Sequence, residues 1–184
     1  MDADRKRWNK KFAEGIYITK PSGSVIEFST LAKGKKALDI AAGMGRNSEY
    51  LVSQGFDVDA LELSDVAVKK LKSIKGVKVF QVDLDEYTLP QNKYDLIICI
   101  NYLSRKLFPQ IINALKPGGV LIYETLMHGK ETEKLKRNPD FLVKEGELLQ
   151  AFNDLELIEY KEFITTGKNN VKVNKALFVG RKPR

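Results

Sequence analysis

Short apolar runs alternate with helical patterns across residues 36–126, and this alternation constrains the fold more than any other feature of the chain. It is typical of βαβ units, in which a crossover helix connects two parallel strands. The pattern therefore predicts an α/β fold with a doubly wound, Rossmann-like sheet. The predicted strands are 36–41, 56–61, 77–82, 94–100 and 118–123, and the predicted helices are at about 46–54, 64–74 and 104–115.

Residues 127–184 show a different pattern: a polar loop, a helix at about 144–152 and two strands at about 155–163 and 171–180. The turn-rich segment 165–170 between these strands is short enough for an antiparallel hairpin. Upstream, Lys116-Pro117-Gly118-Gly119 is the clearest break in the chain, and we expect it to end a helix and start a strand. The sequence thus predicts a mostly parallel sheet that finishes in an antiparallel hairpin.

The 184 residues have ordinary globular composition, so we expect one domain over residues 1–184. Residues 1–35 form an N-terminal lid or helix segment carrying Trp8, Phe12 and Tyr17, and residues 36–184 form the Rossmann-like core. The single cysteine, Cys99, excludes a disulfide scaffold and a cysteine-based zinc site, and we predict no metal. Because Cys99 lies inside an apolar strand, we expect an inert core thiol.

The basic N-terminal residues are not followed by an apolar stretch, and the longest apolar run, 96–100, is far too short to span a membrane. We therefore expect a cytoplasmic protein with no membrane partner, either a monomer or a weak homodimer. Thirty-one Lys and Arg against 24 Asp and Glu give a net charge of +7, which attracts phosphates and makes RNA an alternative partner. Nucleic acid is not favoured, because the basic residues are mostly scattered Lys, whereas bidentate phosphate recognition favours Arg.

A glycine pair joins a predicted strand to a predicted helix in the segment 37–48. Small residues there let the backbone approach a ligand, and the helix N-terminus offers free N–H groups. A dinucleotide site would have a third glycine where Ser48 stands, and the carboxylate of Asp39 would repel a pyrophosphate. The same carboxylate would hold a cationic amino group, so the loop suits a zwitterionic, phosphate-free nucleoside better than NAD.

Two further carboxylates support this interpretation. Glu62 ends the second predicted strand, where an acidic side chain accepts hydrogen bonds from both ribose hydroxyls, and Asp83 follows the third strand, where it can bind an adenine amino group. Together with Asp39, they lie at the C-terminal ends of consecutive strands, the edge at which open α/β sheets bind ligands.

These features resemble those of class I S-adenosylmethionine-dependent methyltransferases, and in particular the small tellurite-resistance-like branch of that superfamily. The resemblance covers nearly the whole chain. It rests on Leu-Asp-Ile-Ala-Ala-Gly-Met-Gly-Arg-Asn-Ser (38–48), Glu62, Asp83-Leu84 and residues 94–98, 101–109, 115–119, 123–125 and 137–142.

The resemblance implies a seven-stranded sheet and S-adenosylmethionine as the cofactor. In the implied site Asp39 orders the methionine amino end, Glu62 binds the ribose and Asp83 binds the adenine amine. The backbone at Gly43 and Gly45 contacts the cofactor, and Leu63 and Leu84 pack beside the base. We also assign to this site Ala41, Asn47, Asn101 and Tyr17, the last as a lid residue. Ala41 departs from the family by replacing the usual first glycine; alanine excludes φ above zero, so we expect somewhat weaker cofactor binding.

An enzyme can catalyse methyl transfer by positioning the reactants, without a general base. The sequence therefore does not identify the catalytic residues. The candidates are Tyr102 and Arg105 at the pocket mouth and His128, the single histidine, as a general base. We expect the turn 138–141 to pack Phe141 inward. The predicted function is methyl transfer to a small-molecule acceptor, such as a tellurite, selenium or thiol nucleophile. The alternatives are an RNA methyltransferase and a non-catalytic S-adenosylmethionine-binding module.

Overall fold

A single sheet organises the molecule in the computed structural model, which describes residues 2–167 and 170–184. Seven strands of these residues form it. They are β1 (Lys36–Ile40), β2 (Asp57–Glu62), β3 (Val77–Gln81), β4 (Tyr94–Ile100), β5 (Leu115–Leu126), β6 (Glu156–Thr166) and β7 (Lys172–Arg181).

The strand order is β3-β2-β1-β4-β5-β7-β6. The first five strands pair in parallel, whereas β7 runs antiparallel to both β5 and β6. The predicted α/β class, the seven strands and the antiparallel hairpin are therefore confirmed. Lys168 and Asn169 of the predicted hairpin turn lie outside the described residues, as does Met1. The assignment of residues 1–184 to a single domain stays a prediction.

Helices connect the strands and flank the sheet. They are α1 (Asp2–Ala13), α2 (Gly23–Phe28), α3 (Arg46–Ser53), α4 (Asp65–Lys72), α5 (Phe108–Ala114), α6 (Lys130–Glu133) and α7 (Glu147–Ala151), with 3-10 turns at Ser29–Leu31, Arg105–Leu107 and Pro139–Phe141. The helix predicted at 104–115 is thus a 3-10 turn followed by a shorter α-helix. No helix among the described residues is both long and apolar enough to cross a membrane.

The predicted break at 116–119 lies inside β5 and does not separate a helix from a strand. Leu115 already pairs with Tyr94, and pairing resumes at Val120 opposite Leu96, so the intervening residues form a bulge. Gly119 is required there, because a Cβ would lie 2.9 Å from the carbonyl oxygens of Lys116 and Tyr94. Glycine and proline are typical of bulges as well as of turns, so the sequence pattern led us to predict a helix end and a strand start where the structure has a bulge.

Apolar side chains are buried on the sheet and under the flanking helices. One cluster is aromatic: Phe152 lies 5.1–5.5 Å, between ring centroids, from Phe108, Tyr123 and Phe178. Tilted and edge-on contacts of this kind add to the free energy gained by burying the rings. The core thus holds β4, β5 and β7 in place. Residues of these strands at the edge where the parallel strands end contribute to the candidate site.

Candidate active site

Three carboxylates mark the carboxyl edge of the parallel strands. Asp39 is the penultimate residue of β1, Glu62 is the last residue of β2, and Asp83 follows β3 by two residues. Because β1, β2 and β3 are neighbours and parallel, these residues meet at one edge, as the sequence predicted. This is the edge at which open α/β sheets bind ligands.

Asp39 is a buried carboxyl group with a neutral partner. Asp39 is 2% exposed, and its Oδ2 accepts a hydrogen bond of 2.7 Å from the hydroxyl of Ser48. Burial raises the pKa of Asp39 to about 7, against the opposing effects of Ser48 and of the positive charge on Arg46. Ser48, which occupies the place of a third glycine, therefore serves as the hydrogen-bond donor to Asp39.

Glu62 holds the loop that follows β1. It is 7% exposed, its Oε2 accepts from the backbone N–H of Gly43 at 2.7 Å, and its Oε1 accepts from Leu63 and Ser64 at 2.9 Å each. Burial raises the pKa of Glu62, although these three backbone donors favour the charged form. Oε2 accepts only the Gly43 bond among the described residues and so keeps capacity for a further donor.

The glycine loop departs from the expectation at Ala41. Its φ is +55°, so alanine does adopt the left-handed conformation that we expected it to exclude. A non-glycine residue there is strained by roughly 1–2 kcal/mol. The surrounding structure holds the conformation, because the Ala42 N–H donates to the Leu61 carbonyl of β2. We expected weaker cofactor binding because alanine would exclude a positive φ. That premise is wrong, because Ala41 does adopt a positive φ.

The two glycines of the loop have different reasons for being glycine. Gly43 has φ +56°, and a Cβ there would meet Phe12 of α1 at 3.6 Å. Gly45 has φ +87°, and a Cβ there would lie 2.8 Å from both Leu71 and Ile74. The close approach of Leu71 and Ile74 to the loop thus accounts for Gly45, whereas the positive φ accounts for Gly43.

Residues at the start of α3 bind the N-terminal segment. Asn47 is buried, and its Oδ1 accepts from the backbone N–H of Ser22 at 2.9 Å. The neighbouring Arg46 donates to the carbonyl of Lys20 at 2.8 Å. The predicted cofactor residue Asn47 is therefore engaged in holding residues 20–22 at the site.

Helix α1 covers the glycine loop, since its Phe12 lies 3.6 Å from the Cβ position of Gly43. The role of residues 1–35 as a lid stays a prediction. Asn9 donates to Asp65 at 2.7 Å and accepts from the hydroxyl of Ser64 at 2.6 Å, which attaches α1 to the start of α4. Phe12 stacks on Trp8, and its ring centroid is 6.3 Å from that of Tyr17 in an edge-on contact. The aromatic residues of this segment therefore lie together beside the loop.

A buried ion pair near this edge was not predicted from the sequence. Glu124 of β5 accepts 2.6 Å hydrogen bonds from the ammonium group of Lys175 in β7 and from the hydroxyl of Ser24 in α2. Burial alone would raise the pKa of Glu124, but Lys175 and Ser24 hold it below its usual range. An acidic residue within the apolar run of β5 was the available signal.

The remaining predicted cofactor residues lie at the ends of β2, β3 and β4. Asn101 directly follows β4, has φ +60° and donates its backbone N–H to the Glu124 carbonyl at 2.7 Å. Asp83 accepts from the Asp85 N–H at 2.9 Å and so orders its own turn. Leu63 is half-buried and Leu84 is buried.

The three catalytic candidates have different surroundings. Burial raises the pKa of the Tyr102 phenol, and the Tyr102 carbonyl accepts from the hydroxyl of Tyr123 at 2.9 Å. Arg105 makes two hydrogen bonds to Glu147, of 2.6 and 3.0 Å, and donates to the carbonyls of Asp140 and Leu142. The guanidinium of Arg105 is therefore engaged by protein groups, namely the Glu147 carboxylate and two backbone carbonyls.

His128 is half-buried and contributes to a cavity of about 560 Å³ beyond the end of β5. The other residues of its lining are Arg105, Pro139, Asp140, Lys144 and Glu147. Cys99 is fully buried in β4, as predicted, and burial raises the pKa of its thiol to about 12. No group of His, Cys, Asp and Glu suited to a metal ion occurs among the described residues.

Phe141 contradicts the expectation that it packs inward, since it is 54% exposed. Asn138 accepts from the Asp140 N–H at 3.0 Å and thereby starts the 3-10 turn Pro139–Phe141, which turns the ring away from the core. Phe141 instead contributes to a second cavity of about 210 Å³.

A family profile described as "Tellurite resistance protein TehB" matches residues 5–175. The chain belongs to the TehB family. The resemblance on which the sequence analysis relied is thereby confirmed, and the sheet topology is that of the class I methyltransferase fold.

TehB relatives match over nearly the whole chain. The "Probable S-adenosyl-L-methionine-dependent methyltransferase TehB" of Haemophilus influenzae is 25% identical over 190 residues, which cover 93% of this chain and 65% of the relative. The chain thus spans about two thirds of the length of this relative. The crystal structure of TehB from Haemophilus influenzae superposes with a TM-score of 0.79 at 22% identity, covering 95% of this chain and 67% of that one.

A more distant match has the same fold. The Burkholderia thailandensis 1,6-didemethyltoxoflavin-N1-methyltransferase, solved with 1,6-didemethyltoxoflavin and S-adenosylhomocysteine, has a TM-score of 0.70 at 15% identity, covering 98% of this chain and 87% of that one. At this identity the match shows the fold alone.

Proposed function

We propose that this chain binds S-adenosylmethionine and transfers its methyl group to a small-molecule acceptor. The observation that carries the proposal is the pair of buried carboxyl groups, Asp39 and Glu62, beside the glycine loop. Burial raises the pKa of both carboxyl groups. A bound cation stabilises their charged carboxylate form, whereas a pyrophosphate would be repelled by it, so the site favours a cationic ligand group. The names of the TehB relatives support the same cofactor.

The residues present fit this cofactor. Asp39 would accept hydrogen bonds from the methionine ammonium group, and the free acceptor capacity of Glu62 would serve the ribose hydroxyls. Asp83 would bind the adenine amine between Leu63 and Leu84, and the backbone of Gly43, which has no Cβ, would contact the cofactor. When bound, S-adenosylmethionine supplies a methyl group on a positively charged sulfur.

The protein's own contribution is then to position the two reactants and to exclude water. Holding reactants in line lowers the barrier without any proton transfer by the protein. Helix α1, attached through Asn9, would cover the site, and Tyr17 would lie beside it. For an acceptor that loses a proton, His128 is the candidate base; Tyr102 is less suited because of its raised pKa.

The acceptor class is the finer part of the proposal. The Burkholderia thailandensis methyltransferase of the same fold was solved with a small molecule, 1,6-didemethyltoxoflavin, and this supports a small-molecule acceptor over a macromolecule. Tellurite, selenium and thiol nucleophiles are the acceptors to screen first.

The first test is calorimetric titration of the protein with S-adenosylhomocysteine, with NAD as the control ligand. Wild type should bind S-adenosylhomocysteine and ignore NAD, and Glu62→Ala should bind at least tenfold more weakly. Glu86→Ala, an exposed acid beyond the same edge, is the matched control and should bind like wild type. Thermal unfolding of each variant verifies folding. Binding of NAD without binding of S-adenosylhomocysteine would overturn the proposal.

A further inference from the structure

A cavity of about 210 Å³ opens between α1 and the loop 137–142, next to the end of β5. Its position relates it to the proposed cofactor site through one helix: Arg7 of α1 lines the cavity, and Phe12 of the same helix lies over Gly43. The lining residues are Arg7, Leu126, Arg137, Asn138, Phe141 and Leu142. Helix α1 thus contributes a residue to the cavity and another residue to the cover of the glycine loop.

The cavity carries uncompensated positive charge. Among the described residues, the guanidinium of Arg137 has no hydrogen-bond or ion-pair partner. Arg7 pairs with Asp4 of its own helix at 2.9 Å, but both side chains are more than half exposed, so this pair is weak. Guanidinium groups match carboxylates in a bidentate geometry, which makes an anion the natural ligand.

The other walls are apolar and held in place. Phe141 presents an exposed ring, with Leu126 and Leu142 beside it. Arg105 fixes the backbone on both sides of this ring by donating to the carbonyls of Asp140 at 2.8 Å and Leu142 at 3.1 Å. The ring is thus preorganised, and a ligand that covers it gains the free energy of burying apolar surface.

We propose that this cavity binds the methyl acceptor and that the acceptor is a small organic carboxylate. Its carboxylate would pair with Arg137, and its hydrocarbon or aromatic body would cover Phe141 and Leu126. An inorganic oxyanion would use the charge but leave the apolar walls unused. The volume is below the range of about 300–1,000 Å³ typical of drug-sized ligands, which limits the acceptor to about one ring. This inference rests on the proposed methyltransferase function.

The binding test uses 4-fluorobenzoate, observed by fluorine NMR, with protein saturated by S-adenosylhomocysteine. The neutral analogue 4-fluorobenzyl alcohol and inorganic phosphate are the comparison ligands. We expect 4-fluorobenzoate to bind at least tenfold more tightly than either. Arg137→Gln should weaken its binding about tenfold and Phe141→Ala several-fold, whereas Arg184→Gln, an exposed arginine elsewhere, should leave it unchanged.

Equal binding of the alcohol, or an unchanged affinity in Arg137→Gln, would overturn the role of the charge. Equal competition by phosphate would overturn the role of the apolar wall. The transfer test compares 4-mercaptobenzoate with 4-methylthiophenol, and kcat/KM should favour the carboxylate in wild type and lose that preference in Arg137→Gln. A protein that fails to bind S-adenosylhomocysteine contradicts the proposed function itself, a result distinct from loss of acceptor selectivity.

Discussion

At the scale of single residues, Asp39 couples the site to pH. Its pKa of about 7 in the free protein means that the carboxyl group is half-protonated near neutrality. A bound ammonium group favours the carboxylate and lowers this pKa, so binding below pH 7 must release a proton. We therefore predict that the affinity for S-adenosylhomocysteine rises up to tenfold per pH unit below about pH 7 and levels off above it. Calorimetry between pH 5.5 and 8.5 measures this dependence.

Asp39→Asn is the control for that pH dependence. The variant should bind more weakly at pH 8 and lose the slope near pH 7; a slope retained in the variant would assign it to another group. Because the pKa of Asp39 is raised by folding, its contribution to stability falls as pH rises from about 4 through 7. Without ligand, the unfolding free energy of the Asp39→Asn variant should therefore be about 1–3 kcal/mol higher than that of wild type at pH 8. At pH 4 the two proteins should show no such difference.

Ala41 gives a second prediction at this scale. Its φ of +55° is strained for alanine but not for glycine, whereas glycine loses more backbone entropy on folding. The strain is the larger of the two effects, so Ala41→Gly should raise the unfolding free energy by about 0.5–1 kcal/mol. Ala42→Gly, whose φ is not positive, is the matched control and should be neutral or destabilising. Urea unfolding of both variants checks this, and a destabilised Ala41→Gly would contradict it.

At the scale of elements, α1 lies over the glycine loop and is attached mainly at the start of α4, where Asn9 and, at 3.9 Å, Arg5 meet Asp65. None of its residues is buried, and its contacts to the start of α4 centre on Asn9. Asn9→Ala removes the bonds to Asp65 and Ser64, so α1 should open more often while the core keeps its stability. We predict at least tenfold faster amide exchange in α1 and faster release of S-adenosylhomocysteine. Lys6→Ala, on the exposed side of the helix, should change neither rate.

The periodicity of the sequence was enough to predict the sheet. Regular alternation located all seven strands and, with them, the edge that collects Asp39, Glu62 and Asp83. Features set by long-range contacts were not predictable: the bulge at Gly118-Gly119 depends on Tyr94, and Gly45 depends on Leu71. The turn that carries Phe141 is also held by hydrogen bonds from Arg105 to the carbonyls of Asp140 and Leu142, and no local pattern contains these long-range bonds.

At the scale of the whole molecule, the net charge of +7 is dispersed. On α1, for example, Arg5 pairs with Asp2, and Lys10 pairs with Glu14. A surface of this kind attracts nucleic acid only through scattered phosphate contacts. We predict that a 20-nucleotide RNA binds more weakly than about 10⁻⁵ M at 150 mM salt, as measured by fluorescence anisotropy. Tighter binding with a steep salt dependence would instead favour the RNA methyltransferase alternative.

The place of β7 in the sheet has a consequence for how the protein is made. β7 lies between β5 and β6, yet it follows every other strand in the chain. Until residues 172–181 are available, β5 has an unpaired edge, β6 lacks the strand with which it pairs, and Phe178 is missing from the aromatic cluster. Unpaired edges of that kind favour association between nascent chains. The sheet is therefore completed in one late step, in which the pairing of β7 with β5 also brings β6 into the sheet.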